Sequence, residues 1–267
     1  MSDGPAGAEP SAAEASAPAS AALILVGDEI LSGKVNDTNS RYLIDVLREC
    51  GVDLHRILVV RDLVDEIAWA VRACIDRYDH VFTSGGIGPT HDDVTSDGVA
   101  AALGVRVERH AQLETMLRSH FGGAITDDHL KMAAVPAGTT LTASGQIRWP
   151  VLVAAEGLYM LPGIPEIFRA KVEALRPMLQ GVPVTCRWVY TTLDEGVLAP
   201  HLAAILQDRA AVTIGSYPVL GRADYKVRVA VESRDARAVD GAVADLLARL
   251  PAGEAGDAPG FRSEGAR

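Results

Sequence analysis

The chain has 267 residues, 48% of them hydrophobic and 22% charged, with a net charge of −10 and a pI near 5.1. It is long enough to bury one large core or two smaller ones. The acidic balance argues against nucleic acid as a partner, since nucleic acids normally meet a basic face. Cys50, Cys74 and Cys186 are widely spaced and odd in number, which is not the pattern of a disulfide framework or a zinc cluster.

Both ends of the chain are rich in Ala, Ser, Pro and Gly. We expect a disordered lead-in over residues 1–20 and a disordered tail over residues 251–267. The first twenty residues have no basic opening and no long apolar run, so we expect neither a secretory signal nor a membrane span. A reducing cytoplasm is the expected location.

From residue 21 to about residue 104, short apolar runs alternate with amphipathic stretches. The pattern predicts strands over residues 21–26, 54–60 and 80–83, with helices between them and after Thr95. Asp37 or Thr38 is expected to cap the first of these helices, and Asp62 the second. This rhythm is typical of a parallel sheet with crossover helices.

Residues 105–180 continue the same domain, which we place at residues 21–180. They predict an edge strand over 105–108, helical structure over 112–132 that is broken by two glycines, and a hairpin of strands 151–154 and 158–161. A helix then begins at Pro165.

A second, smaller domain is expected over residues 181–250. Its pattern is β-α-β-β-α, with strands over 184–190, 212–217 and 225–232 and helices over 195–207 and 236–250. In the last strand, Lys226, Arg228, Ala230 and Glu232 are expected to form a solvated face. The fold class is therefore α/β, a three-layer α/β/α arrangement with a mostly parallel sheet, plus a small C-terminal α+β domain.

The most informative stretch is Ser84–Thr95, SGGIGPTHDDVT, which joins a predicted strand to a predicted helix. Open α/β sheets bind ligands at such junctions. Glycines 85, 86 and 88 let the backbone approach a ligand and direct N–H groups at an anion such as phosphate. Asp92 and Asp93 would repel phosphate unless a divalent cation lay between them. The stretch predicts a phosphorylated ligand with a metal.

Two other turns also follow predicted strands. Residues 27–34, GDEILSGK, superficially suggest a phosphate-binding P-loop, but five residues separate the glycines where a Walker loop has four. Val35 also stands where Ser or Thr would hold magnesium. Residues 161–165, LPGIP, form a second glycine- and proline-containing junction that can face the first.

The stretch Ser84–Thr95 closely resembles the GGxGPTxDDxT motif of the molybdopterin-binding (molybdenum cofactor biosynthesis) domain superfamily. Residues 27–33 followed by 36–39 resemble the opening of its competence/damage-inducible protein A (CinA) branch and of the related domain in eukaryotic FAD synthases. Residues 131–136 and 161–165 also match that branch. The sequence departs from it at Asp28, where threonine is commoner, and at residues 129–132. It has no C-terminal extension resembling the deamidase domain of two-domain members, so we expect no deamidase activity.

The resemblance implies metal-dependent hydrolysis of a nucleotide pyrophosphate such as ADP-ribose or FAD. It assigns catalysis to Asp93 and Asp92, and a divalent ion (Mg, Mn or Co) to Asp93 and Asp28. The ligand would be held by Gly27, Asn39, Ser84, Gly85, Gly86, Gly88, Pro89, Thr90, Thr95 and Gly163. Family members commonly self-associate, so we expect a homo-oligomer.

Two other functions remain open. One is a molybdopterin adenylyltransferase with molybdopterin as its ligand, and the other is a non-catalytic module that binds a pterin or a nucleotide. Simpler structural interpretations also remain. The glycine loop can be a tight turn in which Asp93 or Thr95 caps a helix, and Asp28 can belong to a solvated turn. His91 and Lys131 can be ordinary surface residues.

Overall fold

The computed structural model describes residues 18–142 and 149–257, which divide into two compact units between Gly181 and Val182. Most of the predicted disordered lead-in and tail lies outside the described residues. Their inner edges are corrected, because Ser20 begins the first strand and residues 255–256 form the last one.

The first unit contains eight strands and seven α-helices within the described residues. The strands are β1 (Ser20–Val26), β2 (Asp53–Val60), β3 (His80–Ser84), β4 (Val107–Arg109), β5 (Ala134–Pro136), β6 (Thr140–Thr142), β7 (Val151–Ala155) and β8 (Leu158–Leu161). The helices are α1 (Asp28–Leu31), α2 (Asn39–Cys50), α3 (Val64–Cys74), α4 (Thr95–Leu103), α5 (Ala111–Phe121), α6 (Asp127–Lys131) and α7 (Pro165–Leu175). Short 3₁₀ turns follow α5 at Gly122–Ala124 and α7 at Arg176–Met178.

The main sheet has the strand order β2-β1-β3-β8-β7-β6. Its first four strands are parallel, and β7 and β6 are antiparallel additions at one edge. Strand β1 is an unbroken apolar run because both of its faces are covered. Ile24 packs in a cluster with α3, α4 and α5, while Leu23 packs in a second cluster with α2 and α7. The predicted three-layer, mostly parallel α/β/α fold is confirmed.

Several local predictions are corrected. Strand β4 begins at Val107 and pairs with β5 in a separate two-stranded sheet, so it is not an edge of the main sheet. Asp62 does not cap α3, whose N-cap residue is Leu63, because the Asp62 carboxylate accepts the Asp28 N–H at 2.8 Å. The N-cap residue of α2 is Thr38, which makes no side-chain cap hydrogen bond. Asp37, just before it, supplies that contact, since its Oδ1 accepts the backbone N–H groups of Asn39 and Ser40 at 2.9 and 3.0 Å.

The second unit has the pattern β-α-β-β-α-β of a ferredoxin-like fold. Its elements are β9 (Thr185–Thr191), α8 (Glu195–Asp208), β10 (Thr213–Pro218), β11 (Val227–Ser233), α9 (Ala236–Arg249) and β12 (Ala255–Gly256). The strand order is β10-β11-β9-β12, all paired antiparallel. The predicted α+β class is confirmed, but β12 escaped prediction because two residues carry no strand periodicity.

One face of this second sheet is covered by the two helices, and Val189, Val229 and Leu246 lie in the core between them. Ala230 on the other face was expected to be solvated, but only 3% of it is exposed because it lies beside Trp188 in the sheet. In the described parts of both units, none of the helices combines the length and apolar character needed to cross a membrane.

Candidate functional site

A cavity of about 680 Å³ opens at the carboxyl ends of the parallel strands of the first unit. Three connecting segments line it: residues 35–39 before and at the start of α2, residues 84–90 after β3, and residues 162–165 between β8 and α7. Apolar side chains of α5, together with Trp149, form another part of its wall. Parallel α/β sheets bind ligands at this edge.

The loop after β3 has a backbone that requires glycine. Gly85 and Gly86 have φ angles of +106° and +65°, a region that other residues rarely adopt. A Cβ atom on Gly85 would collide with the carbonyl oxygen of Val26, and one on Gly86 would collide with the Thr95 hydroxyl. Thr95 is fully buried, and its hydroxyl donates to the Gly85 carbonyl at 2.9 Å. Thr95, the first residue of α4, therefore links the loop to that helix.

The tip of the same loop is closed by Asp93. Its Oδ2 accepts the backbone N–H of Thr90 at 2.7 Å and the Thr90 hydroxyl at 2.5 Å. Lys131 of α6 donates to the Thr90 carbonyl, so this lysine supports the loop. Asp93 lines the cavity and does not cap α4, whose N-cap residue Val94 has no side-chain hydrogen bond. The capping interpretation of Asp93 is wrong.

Asn39 joins the loop after β3 to the turn after β8. Its Nδ2 donates to the Ser84 hydroxyl at 3.1 Å and to the Gly163 carbonyl at 2.9 Å. The Gly85 N–H also donates to the Leu161 carbonyl at 3.1 Å. The two junctions therefore face each other, as the sequence suggested. Asn39 is 5% exposed, and its Oδ1 has no hydrogen-bond partner within residues 18–142 and 149–257.

The turn after β1 has a different environment. The Asp28 carboxylate accepts from Arg61 Nε at 3.1 Å, and both side chains are about half exposed. Burial raises the pKa of Asp62, and the neighbouring carboxylates of Glu29, Asp28 and Asp92 raise it further against the lowering effect of the Asp28 N–H. Glu29 lines the cavity, whereas Asp28 does not.

The structure brings together most of the predicted site residues. Those that line the cavity are Asn39, Ser84, Gly85, Gly86, Gly88, Pro89, Thr90, Asp93 and Gly163. Those outside the lining are Gly27, Asp28, Asp92 and Thr95. Asp92 is an exposed residue whose carboxylate lies 4.0 Å from the almost fully exposed His91. Asp93 therefore lines the cavity without either of the carboxylates that the sequence paired with it, Asp92 for catalysis and Asp28 for the metal.

This arrangement limits how a metal could be held. In the parts of the chain that the structure describes, no group of three or more His, Cys, Asp or Glu side chains is placed to hold an ion. Magnesium is often held by one or two carboxylates together with phosphate oxygens and waters. Asp93 fits that role for an ion that enters with a phosphorylated ligand, whereas Asp28, paired with Arg61 outside the lining, does not.

Sequence reasoning missed Lys171. This residue lies on α7, is 5% exposed and lines the cavity, and its Nζ donates to the Pro150 carbonyl. Burial lowers its pKa to about 8. Its position was detectable, since Phe168, Lys171 and Leu175 follow one face of a helix and all three are buried. A lysine on an otherwise apolar helical face was the available signal.

Comparison with protein-family models gives two matches. Residues 22–181 match the family described as "probable molybdopterin binding domain", and residues 183–258 match "FAD synthase, middle domain". The two matches meet at the boundary between the two structural units.

Individual relatives agree with these matches. A probable FAD synthase of Caenorhabditis elegans is 29% identical over 85% of this chain, and a CinA-like protein of Anaeromyxobacter dehalogenans is 38% identical over 57% of it. The matches span only 49% and 38% of those two proteins. The crystal structure of the protein CinA from Thermoplasma acidophilum superposes with a TM-score of 0.56 at 32% identity, covering 61% of this chain and 98% of that one. Since the first family model spans more than half of the sequence, the chain belongs to the probable molybdopterin binding domain family, with CinA-like proteins among its relatives.

Proposed function

We propose that the protein is a metal-dependent hydrolase of a nucleotide pyrophosphate of the ADP-ribose or FAD type. The observation that carries the proposal is the position of Asp93, which lines the cavity at the tip of the glycine loop. The match of the second unit to the middle domain of FAD synthase supports a dinucleotide ligand.

The chain's own residues have separable roles in this proposal. Backbone N–H groups of residues 86–88 bind phosphate oxygens, and the start of α4, which follows the loop, favours negative charge. The apolar wall formed by α5 and Trp149 accommodates a flat ring. A divalent ion held by Asp93 supplies charge neutralisation at the pyrophosphate when it is bound.

A second candidate function is molybdopterin adenylylation or simple pterin binding. The family match of residues 22–181 favours a pterin ligand, and a pterin ring would pack against the same apolar wall. The FAD synthase match of residues 183–258 argues for the dinucleotide instead. A non-catalytic binding module would have the same cavity without turnover.

The function is tested by incubating the purified protein with ADP-ribose, FAD, NAD and ATP in the presence of magnesium, manganese or cobalt. Products are identified by mass spectrometry. We expect selective, metal-dependent cleavage at the pyrophosphate, reduced at least about 100-fold by Asp93→Ala. Asp28→Ala is the matched control, and a loss of no more than a few-fold is expected.

Three results would redirect the assignment. No cleavage of any dinucleotide contradicts the hydrolase. AMP transfer to a pterin would establish the adenylyltransferase, and ligand binding without turnover would establish a binding module. We also propose a cytoplasmic location, which suits the free thiols of Cys50 and Cys74.

A further inference from the structure

Helix α7 places a buried ammonium group at the cavity. Lys171 lies on the same helical face as Phe168 and Leu175, both of which are fully buried. Its Nζ donates to the Pro150 carbonyl, and no carboxylate forms an ion pair with it in residues 18–142 or 149–257. A carbonyl oxygen satisfies one of the three donors of an ammonium group.

Such a group is unfavourable for the fold alone. Removing a charge from water without an opposite charge is costly, and an apolar side chain of similar length would pack in the same place. A depressed pKa is the usual sign of this cost, and burial lowers the pKa of Lys171 to about 8. A binding role would explain why a cation stands at the wall of an open cavity.

The charges around the cavity point to the kind of ligand. Glu29, Asp37 and Asp93 line it, and His120 is the remaining titratable residue of the lining besides Lys171. Lys171 is the only lysine or arginine among the described lining residues. In a cavity that also carries three carboxylates, an anionic ligand gains a specific attraction from this one cation.

We propose that Lys171 is an anion-binding residue, whose ammonium group binds a phosphate oxygen of a pyrophosphate-containing ligand held at the glycine loop. The proposal deepens the proposed function, because it adds a side-chain contact to the backbone N–H groups of residues 86–88. It rests on that function only for the choice of a pyrophosphate ligand. An anion beside the ammonium group favours its charged form, so binding raises the pKa of Lys171.

The first test uses inorganic pyrophosphate as the probe, measured by calorimetry with and without magnesium. We expect Lys171→Met to weaken pyrophosphate binding at least about tenfold, the size of one lost charge-assisted contact. Lys226→Met is the matched control, since Lys226 is an exposed lysine of the second unit that pairs with Asp194. The Lys226→Met variant should bind pyrophosphate with the affinity of the wild type. Equal affinities for wild type and Lys171→Met, or no binding by wild type under either condition, would overturn the proposal.

A second measurement separates binding from support of the fold. The sequence contains four lysines, Lys34, Lys131, Lys171 and Lys226, so ¹³C-lysine labelling gives a spectrum in which the Lys171 signal is assigned by its loss in Lys171→Met. On adding pyrophosphate, the Lys171 titration should move to higher pH. A purely structural lysine would keep its titration, and its replacement would change only the melting temperature. If Lys171→Met does not fold, the titration of the wild type decides, with the signal assigned through Lys171→Arg.

The two proposals fail separately. Pyrophosphate binding that depends on Lys171, without cleavage of any dinucleotide, would overturn the hydrolase and leave the anion-binding role standing. If Lys171→Met leaves both the cleavage of ADP-ribose or FAD and the pyrophosphate affinity unchanged, the anion-binding role is overturned and the hydrolase stands.

Discussion

The turns after β1 and β3 have similar positions in the sheet, but their acidic residues lie in different environments. Each follows a buried parallel strand at the same sheet edge, and each carries an acid after glycine. Asp28 in the first turn pairs with Arg61 and is about half exposed. Asp93 in the second turn is held by Thr90 and lines the cavity. The neighbouring side chains, rather than the residue type, therefore decide which carboxylate is available to a ligand.

The two turns also differ in how firmly they are held. Three side chains hold the loop after β3. Thr95 donates to the Gly85 carbonyl, Lys131 donates to the Thr90 carbonyl, and Asn39 donates to the Ser84 hydroxyl. The turn after β1 is joined to residues outside it by Arg61 and Asp62, near its first residue, and within it the exposed Ser32 hydroxyl donates to the Glu29 carbonyl. A preorganised loop loses less entropy when it binds a ligand.

The largest effect is expected at Gly85. Gly85→Ala forces a φ near +106° on alanine and brings its Cβ against the Val26 carbonyl, so the free energy of unfolding should fall by more than about 3 kcal/mol. The control in the turn after β1 is Gly33→Ala, with φ +72° and no atom within 4 Å, for which a loss of about 1 kcal/mol is expected. Urea unfolding measures both. Equal losses would contradict the difference between the two turns.

A smaller effect is expected from Thr95→Val. The substitution keeps the shape but leaves the buried Gly85 carbonyl without its donor, which should lower the free energy of unfolding by about 1–2 kcal/mol. Ser32→Ala in the turn after β1 removes an exposed hydroxyl that donates to Glu29 at 3.3 Å. It should change stability by no more than about 0.5 kcal/mol. A Thr95→Val protein as stable as wild type would show that the hydroxyl does not hold the loop.

The turn after β1 should respond to pH through Asp62. Because its folded pKa lies above the ordinary value of 3.8, the folded state binds a proton more readily than the unfolded state, and the charged carboxylate is destabilising at neutral pH. Asp62→Asn, which can still accept from the Asp28 N–H, should stabilise the protein at pH 7 by less than about 1 kcal/mol. This gain should vanish as the pH falls below 3.8. Thermal unfolding at pH 7 and pH 3 checks it, and a gain of the same size at both values would be inconsistent with the raised pKa.

The smallest effect is expected for the ion pair of Asp28 with Arg61. Exposed pairs contribute little because water and salt screen them. A double-mutant cycle with Asp28→Asn and Arg61→Gln should give a coupling energy of about 0.5 kcal/mol or less, which decreases in high salt. A larger coupling would mean that this turn is held as firmly as the loop after β3.

The sequence predicted the parallel sheet because β1 and β3 are short, continuous apolar runs, and it predicted the loop after β3 from its glycines. It could not predict that Asp28 meets Arg61, because that contact depends on β1 lying beside β2 in register. Strands β5, β6 and β12 were missed because two or three residues carry no periodic signal. Lys171 was missed because a lysine in a helix is usually exposed, whereas this one lies on the buried face of α7.

Strand β12 has a consequence for any shortened form of the protein. Ala255 and Gly256 pair with one side of β9, while β11 pairs with the other. The Glu254 carbonyl also accepts hydrogen bonds from the Thr191 hydroxyl and the Thr192 N–H. A chain cut after Leu250 would leave Tyr190 and Thr191 without strand partners on that side of β9. Such an exposed strand edge can pair with strands of other molecules, so we expect a shortened chain to aggregate more readily.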